Sequence, residues 1–312
     1  MPSISVDEIV AARGRISSLI RPTPVLHAEV PTPSGPVPVA LKLEYLQLGG
    51  SFKIRGSLNA ILHAQEGGRL TDSGVVIASG GNAAIGAAMA CRMLDLRCSV
   101  VVPTTAPAVK VARLNALGAD VHQIGDRYAL SAEAAALMAE QTGALQLHAY
   151  DLPDIVAGAG TIGLELREQL DVPLDVFVAV GGGGLVGGLV AALAPEHAVT
   201  GVEPVGASAL HQALAAGRPV PVELDSVASD SLGATQLGAL CWDTISALPI
   251  GSITVTDDEL TAARNLLWDE FRIVVEHGTA AALAPLLSGA VEPEPGRLPC
   301  VILCGANTSV TP

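Results

Sequence analysis

Between residues 75 and 141 short apolar runs alternate with alanine-rich stretches. The runs 75–78, 98–102 and 120–124 are too short for helices. They lead into 83–93, 108–117 and 129–141, whose alanines have high helix propensity. This alternation predicts a parallel sheet, because a strand returning parallel needs a crossover long enough to hold a helix. Such a sheet is covered on both faces, so its strands read as continuous apolar runs. A second series starts near Thr161, with a helix at 162–170, a strand at 176–180, a helix at 185–193 and a strand at 199–202; a strand at 300–303 closes it. Ahead of both lie a helix at 6–20 ended by Pro22-Thr23-Pro24, a strand at 39–43 and a helix at 54–63. Aromatic residues make up only 3% of the chain and hydrophobic residues 50%, so alanine, glycine and valine fill the interior. That favours helices packed closely on a sheet over an aromatic-rich sandwich. A length of 312 residues allows about two domains.

The net charge of −14 argues against nucleic acid, whose phosphates would be repelled over most of the surface. Five cysteines, Cys91, Cys98, Cys241, Cys300 and Cys304, are scattered without a C-x-x-C pair, so no zinc or iron–sulfur spacing appears. No basic segment followed by an apolar stretch opens the chain, and a cytoplasmic location is expected. Residues 176–195 carry no charge, yet Gly181-Gly182-Gly183-Gly184 would break a membrane helix. The segment reads as strand, turn and helix, and no membrane partner is expected. The stretch 291–297 reads as a surface connection, and there is no internal repeat.

Lys53 lies in Gly50-Ser51-Phe52-Lys53-Ile54-Arg55-Gly56. Only Lys42, Lys53 and Lys110 are lysines; the rest of the 17 basic residues are arginines. A guanidinium keeps its proton at working pH, whereas a neutral amine attacks a carbonyl. Lys53 is therefore a candidate for Schiff-base chemistry, or simply a solvated surface lysine. Gly182 to Gly187 satisfies G-x-G-x-x-G between a strand and a helix, and Glu203 lies 21 residues beyond Gly182. That matches a dinucleotide site, but free amides at a helix N-terminus hold any phosphate equally well. Ser79-Gly80-Gly81-Asn82 offers a hydroxyl, amides and a carboxamide at another helix start, suited to a carboxylate or a phenolic oxygen. The alternative there is an ordinary N-cap by Ser79 or Asn82. Cys304 ends the last strand, where open sheets bind ligands, or it is a small buried apolar residue. Glu276, in Val275-Glu276-His277-Gly278, precedes a helix and is a candidate surface N-terminal acid. His148, Asp151 and Asp154 cluster without a recognised metal spacing.

A reactive amine, a phosphate cradle, a carboxylate loop and a neutral group at a strand end together suit pyridoxal 5′-phosphate. The chain here resembles the threonine/serine dehydratase and serine racemase family of fold-type II pyridoxal-phosphate enzymes. The resemblance runs through Arg21-Pro22-Thr23-Pro24-Val25, the Lys53 segment, Ser79 to Asn82 and Ala157-Gly158-Ala159-Gly160-Thr161. It continues through Gly181 to Leu185, Gly201-Val202-Glu203-Pro204, and Leu303-Cys304-Gly305-Ala306-Asn307. It implies an α/β fold of two open, mostly parallel twisted sheets with helices on both faces, similar to the tryptophan synthase β chain. Residues 1–49 and 146–312 would form a large cofactor domain, and 50–145 a small mobile domain.

The resemblance also implies roles. Lys53 would hold the cofactor as a Schiff base and then move the Cα proton, with Phe52 lining the ring. Asn82 would bind the phenolic oxygen. Amides of Gly181, Gly182, Gly183, Gly184 and Leu185 would hold the phosphate, and Cys304 would approach the pyridine nitrogen, with Glu276 also at the cofactor. Ser79, Gly80, Gly81 and Ala83 would frame the substrate carboxylate. A thiol supports a protonated nitrogen less firmly than an aspartate, which favours prompt loss of a β-leaving group.

Departures narrow the chemistry. Serine racemases carry a proton-donating serine where Gly80 stands, and the usual histidine after the asparagine is Ala83. The family's cation site would use Glu203 and the carbonyl of Ala207, but its second carboxylate falls on Ala209, so no metal is expected. The family's Ala-Asp-Gly is Ser229-Asp230-Ser231. No regulatory domain follows the last strand, so feedback inhibition is not expected. The resulting expectation is a dehydratase (ammonia-lyase) acting on L-threonine, L-serine or a related 3-hydroxy amino acid, with a homodimer expected from the resemblance alone. The rivals are a β-replacement synthase, an amino-acid racemase, a dinucleotide-dependent oxidoreductase and a non-catalytic cofactor-binding protein.

Overall fold

The computed structural model describes residues 4–308. In the first part of the chain, helix α1 (Val6–Ile16) is followed by strands β1 (Val25–Val30) and β2 (Val37–Lys42) and helix α2 (Lys53–Glu66). Then β3 (Val75–Ala78), α3 (Asn82–Met93), β4 (Cys98–Val102), α4 (Ala108–Ala116), β5 (Asp120–Gln123), α5 (Tyr128–Thr142) and β6 (Leu145–Leu147) alternate. Next come α6 (Pro153–Gln169), β7 (Leu174–Ala179), α7 (Gly184–Leu193), β8 (Ala198–Pro204), α8 (Ala209–Ala216) and α9 (Ala239–Ile245). The chain closes with β9 (Gly251–Val255), α10 (Asp257–Phe271), α11 (His277–Ala280), α12 (Ala284–Ser288) and β10 (Leu298–Ile302).

The strands form two open sheets. The four-stranded sheet has the order β5–β4–β3–β6 and is parallel throughout. The six-stranded sheet has the order β1–β2–β10–β7–β8–β9; only β1 runs antiparallel, beside β2. The fold is α/β of the expected class. Strands at the centre, such as β3 and β7, are buried at every position, as apolar runs covered on both faces must be. The four-stranded sheet includes β6, so it extends to residue 147.

Two expected helices have different limits. The helix expected at 6–20 stops at Ile16, and Leu19 and Ile20 fold back as a turn onto the Ile16 carbonyl. The helix expected at 162–170 begins nine residues earlier, with Pro153 in its first turn. Its glycines allow this length: a Cβ on Gly158 would lie 2.6 Å from the Arg55 carbonyl, and one on Gly160 would lie 2.9 Å from the Gly188 carbonyl. They therefore let α6 pack against α2 and α7. The uncharged stretch 176–195 is divided between β7 and α7, and no helix among the described residues is long and apolar enough to cross a membrane.

Carboxyl ends of β3, β7 and β10 deliver the Ser79, Gly181 and Cys304 segments, as ligand sites in open α/β sheets require.

Candidate active site

Lys53 opens α2. Its residue surface is part-exposed, but the amine at its end is enclosed by protein. Nζ donates to the Ala149 carbonyl at 2.8 Å and stands 4.8 Å from the centroid of the Phe52 ring. Burial pulls its pKa down to about 8, against the opposing pull of Cys304 and Glu276. Near neutrality an appreciable fraction of this amine is free of its proton. It is not a solvated surface lysine.

At the end of β7 the chain turns through Gly181, Gly182 and Gly183 into α7. Gly183 has φ of 91°, a conformation that glycine adopts without strain, and no side chain caps the helix. The first amides of α7 thus have no side-chain partner, and at the positive end of the helix dipole they could hold an anion. Gly182 is held from outside: a Cβ there would lie 2.4 Å from carbons of the Tyr150 ring. Leu185 lies in the first turn, within the apolar body of α7.

At the end of β3, Ser79, Gly80 and Gly81 lead into α3. Ser79 Oγ accepts from the Gly81 amide at 3.2 Å, and Gly81 is itself the N-cap, without a side chain to close the helix. The N-cap reading for Ser79 and Asn82 therefore fails. Ala83 follows in the first turn and is buried. A Cβ on Gly80 would meet only Val102, at 3.7 Å.

Asn82 turns its side chain away from its helix. Its Nδ2 donates to both carboxylate oxygens of Glu276, at 2.9 and 2.8 Å, and its Oδ1 accepts from Asn307 Nδ2. Glu276, a candidate surface acid by sequence, is only 6% exposed. Burial lifts its pKa to about 7 even though the Asn82 hydrogen bond favours the ion. Cys304 is buried at the end of β10, 3.3 Å from the Thr279 hydroxyl, and burial lifts its thiol to about 11. It is neutral at physiological pH. Gly305 leaves space between these groups: a Cβ there would lie 2.4 Å from Glu276 Oε2.

Asn307, Arg113, Thr279 and Tyr150 were not singled out in the sequence. Asn307 lay within a quoted motif, whereas nothing local marked Arg113. The other singled-out acids and histidine have separate structural tasks. His148 Nδ1 accepts from the Tyr150 and Asp151 amides; Asp151 accepts from the Ala239 and Leu240 amides at the start of α9; Asp154 pairs with His63. Glu203 is buried and accepts from the Leu210 and His211 amides at 2.8 Å, so both of its oxygens serve the first turn of α8. Among the described residues no group of three metal-ligating side chains comes together.

Residues 16–305 match the family model described as "Pyridoxal-phosphate dependent enzyme". The chain belongs to this family. It is 32% identical over 310 residues to an L-threonine ammonia-lyase of Thermotoga maritima, covering 98% of this chain and 76% of that protein. It is 33% identical over 314 residues to a phenylserine dehydratase of Ralstonia pickettii, covering 99% and 94%. The crystal structure of serine racemase from Dictyostelium discoideum superposes with a TM-score of 0.87 at 31% identity, covering 98% and 99%. The cofactor of the family is pyridoxal 5′-phosphate, and a small amino acid is the substrate. The site fits that group in chemistry: a desolvated amine for an aldehyde, uncapped amides in a glycine turn for a phosphate, and an amide donor and a neutral thiol for a ring. Membership in this family removes the dinucleotide reading of Gly182 to Gly187.

Proposed function

We propose that this enzyme is a dehydratase, an ammonia-lyase that removes water from L-serine, L-threonine or a related 3-hydroxy amino acid. The observation that carries the proposal is the pairing of Lys53 with Gly80. The Lys53 amine is desolvated, with its pKa drawn to about 8, and is able to take a proton. At position 80, where racemases carry a donating serine, there is no side chain, and the nearest group is the apolar Val102.

In this reading the amides of Gly181 to Leu185 would hold the cofactor phosphate, Phe52 would line its ring, and Asn82, beside Glu276, would donate to its phenolic oxygen. Bound pyridoxal phosphate supplies an electron sink for the bond cleaved at Cα. Cys304 would support the ring nitrogen only as a neutral thiol, which would leave that sink moderate and favour prompt departure of a β-substituent. The open N-terminus of α3, with Ser79, Gly80, Gly81 and Ala83, holds the substrate carboxylate through backbone amides. Lys53 would take the Cα proton, and the C–O bond at Cβ would break with its electron pair going to oxygen, which takes up a proton and leaves as water, so that H from Cα and OH from Cβ are lost in all. The released enamine tautomerises and hydrolyses to a 2-oxo acid and ammonia.

A β-aryl substituent is a second reading, favoured by the rings beside Lys53. His148 and Tyr150 meet edge to face at 4.6 Å, and Phe52 lies on the amine in a chain with only 3% aromatic residues.

The test is 2-oxo acid and ammonia release from serine, threonine, 3-phenylserine and 3-hydroxyaspartate. Lys53→Ala is expected to lose turnover by several orders of magnitude and the visible absorbance of the loaded enzyme. Normal turnover by that variant would sink the assignment. Conversion of L-serine to D-serine without ammonia release would replace dehydration with racemisation, and consumption of serine only with an added thiol, giving the thioether amino acid without ammonia, would favour β-replacement.

A further inference from the structure

A chain of hydrogen bonds runs from the surface of the four-stranded sheet's helices to Asn82, and the chemistry above leaves its outer half unused. Arg113, exposed on α4, donates Nη2 to Asn307 Oδ1 at 2.6 Å. Asn307 Nδ2 donates to the Gly49 carbonyl at 2.9 Å and to Asn82 Oδ1. Asn82 Nδ2 then donates to Glu276. Space for Asn307 is built in: Gly50 has φ of 75°, and a Cβ there would lie 2.6 Å from Asn307 Oδ1.

The order of donors and acceptors in this chain is fixed from its outer end. A carboxamide has one donating and one accepting end. A guanidinium only donates and a backbone carbonyl only accepts, so Arg113 and Gly49 allow Asn307 one orientation. That orientation presents an N–H to Asn82, which must answer with Oδ1 and turn Nδ2 to the opposite side. Glu276 cannot impose this alone, because a carboxyl that carries its proton can donate as well as accept. The guanidinium charge also polarises each amide in line, so the last N–H is the stronger donor. Asn82 and Arg113 sit on helices of the four-stranded sheet, whereas Asn307 follows β10 of the six-stranded sheet, so the same chain ties the two layers together across the site.

We propose that Arg113 and Asn307 are positioning residues that hold the Asn82 amide with its N–H toward the phenolic oxygen of the cofactor. The proposal rests on the reading that Asn82 faces that oxygen. Two measurements test it: the pH titration of the bound cofactor's visible absorbance, and the affinity of the apoprotein for pyridoxal phosphate. Arg113→Ala is expected to weaken cofactor affinity about three- to tenfold, the size of one hydrogen bond, and to move the titration midpoint upward, since an oxygen with a poorer donor is the stronger base. Arg113→Lys, which keeps charge and donor, should recover most of the loss. Asn307→Asp should show the largest shift, because it pairs with Arg113 yet has no N–H for Asn82. Arg92→Ala, an exposed arginine on α3, is the control and should match the wild type.

If Arg113→Ala and Asn307→Asp both titrate and bind as the wild type does, the proposal is overturned. A loss in Arg113→Ala that lysine does not recover also counts against it. Asn82→Ala separates the two levels. If that variant too leaves both measurements unchanged, the reading of Asn82 itself fails. If it alone shifts them, only the role of Arg113 and Asn307 fails.

Discussion

Glu276 sets burial against hydrogen bonding at a single carboxyl, and burial wins. A carboxyl raised to about 7 in the folded protein binds its proton more tightly there than in the unfolded chain. Its contribution to stability is therefore complete below the unfolded value near 4.3 and is lost as pH rises through about 7. Unfolding of the apoprotein in urea at pH 5 and pH 8, for wild type and Glu276→Gln, isolates this contribution from that of Glu203. The difference should move toward the glutamine variant by on the order of 2 kcal/mol at the higher pH. A gap that does not change with pH would contradict a buried, proton-retaining Glu276. At this scale the sequence was legible where chemistry is local. Lys53 stood out through the scarcity of lysine and the glycines before and after it, and Asn82 and Cys304 through their places at a helix start and a strand end. Burial of Glu276 was not legible, because Gly305 and Asn82, which enclose it, are distant in sequence. Nor was the partnership of Arg113 with Asn307, which lie 194 residues apart.

Among the elements, α7 and its glycine turn show how a backbone site is shaped by a neighbour. Gly182 is required less by its own dihedral angles than by the Tyr150 ring, which occupies the space a side chain would take. Gly182→Ala is expected to displace that ring or the turn, lowering affinity for pyridoxal phosphate about tenfold or more, a cost typical of a forced overpacking. Gly182→Ala combined with Tyr150→Ala should regain part of the affinity, because the methyl group then has room. Equal losses in the single and double variants, read by cofactor titration, would show that the turn itself rejects alanine. The same close approach explains why α6 was misread from sequence. Gly158 and Gly160 look like a loop, since glycine costs a helix about 1 kcal/mol in isolation. In the fold these glycines are where α2 and α7 come into contact with α6, and packing outweighs propensity. Strands β1, β6 and β9 and helices α8, α9, α10 and α12 were likewise unread. β1 is largely exposed and pairs antiparallel at a sheet edge, so it lacks the apolar run that marked the central strands.

For the whole molecule, the decisive feature is a set of buried charges joining the two sheets' layers behind Lys53. Arg55, on the helix that Lys53 opens, donates Nε and Nη2 to Glu44 at 2.9 and 2.8 Å and Nη1 to Glu165 at 2.7 Å. Lys42, from β2, donates to the other oxygen of Glu165 at 2.6 Å and to the Thr23 carbonyl and Gln169. Arg55, Glu44 and Lys42 are all 0% exposed. These pairs need not add net stability, because desolvation offsets most of their attraction, but removing one member strands the others. Arg55→Ala should thus lower unfolding stability by about 3–5 kcal/mol and leave Lys53 less firmly placed. If the cost is the stranded charge, replacing Glu44 by Gln together with Arg55 by Met should return most of the stability, since the Lys42–Glu165 pair is left intact. Cofactor affinity of that double variant then reports on position alone. Recovered stability with affinity still reduced would assign Arg55 the task of aligning Lys53 with the six-stranded sheet, whereas recovery of both would make the network a matter of folding. The network predicts the former, because Arg55 is the group through which the first turn of α2 is tied by charge to Glu44 and Glu165, and methionine cannot hold that turn in register.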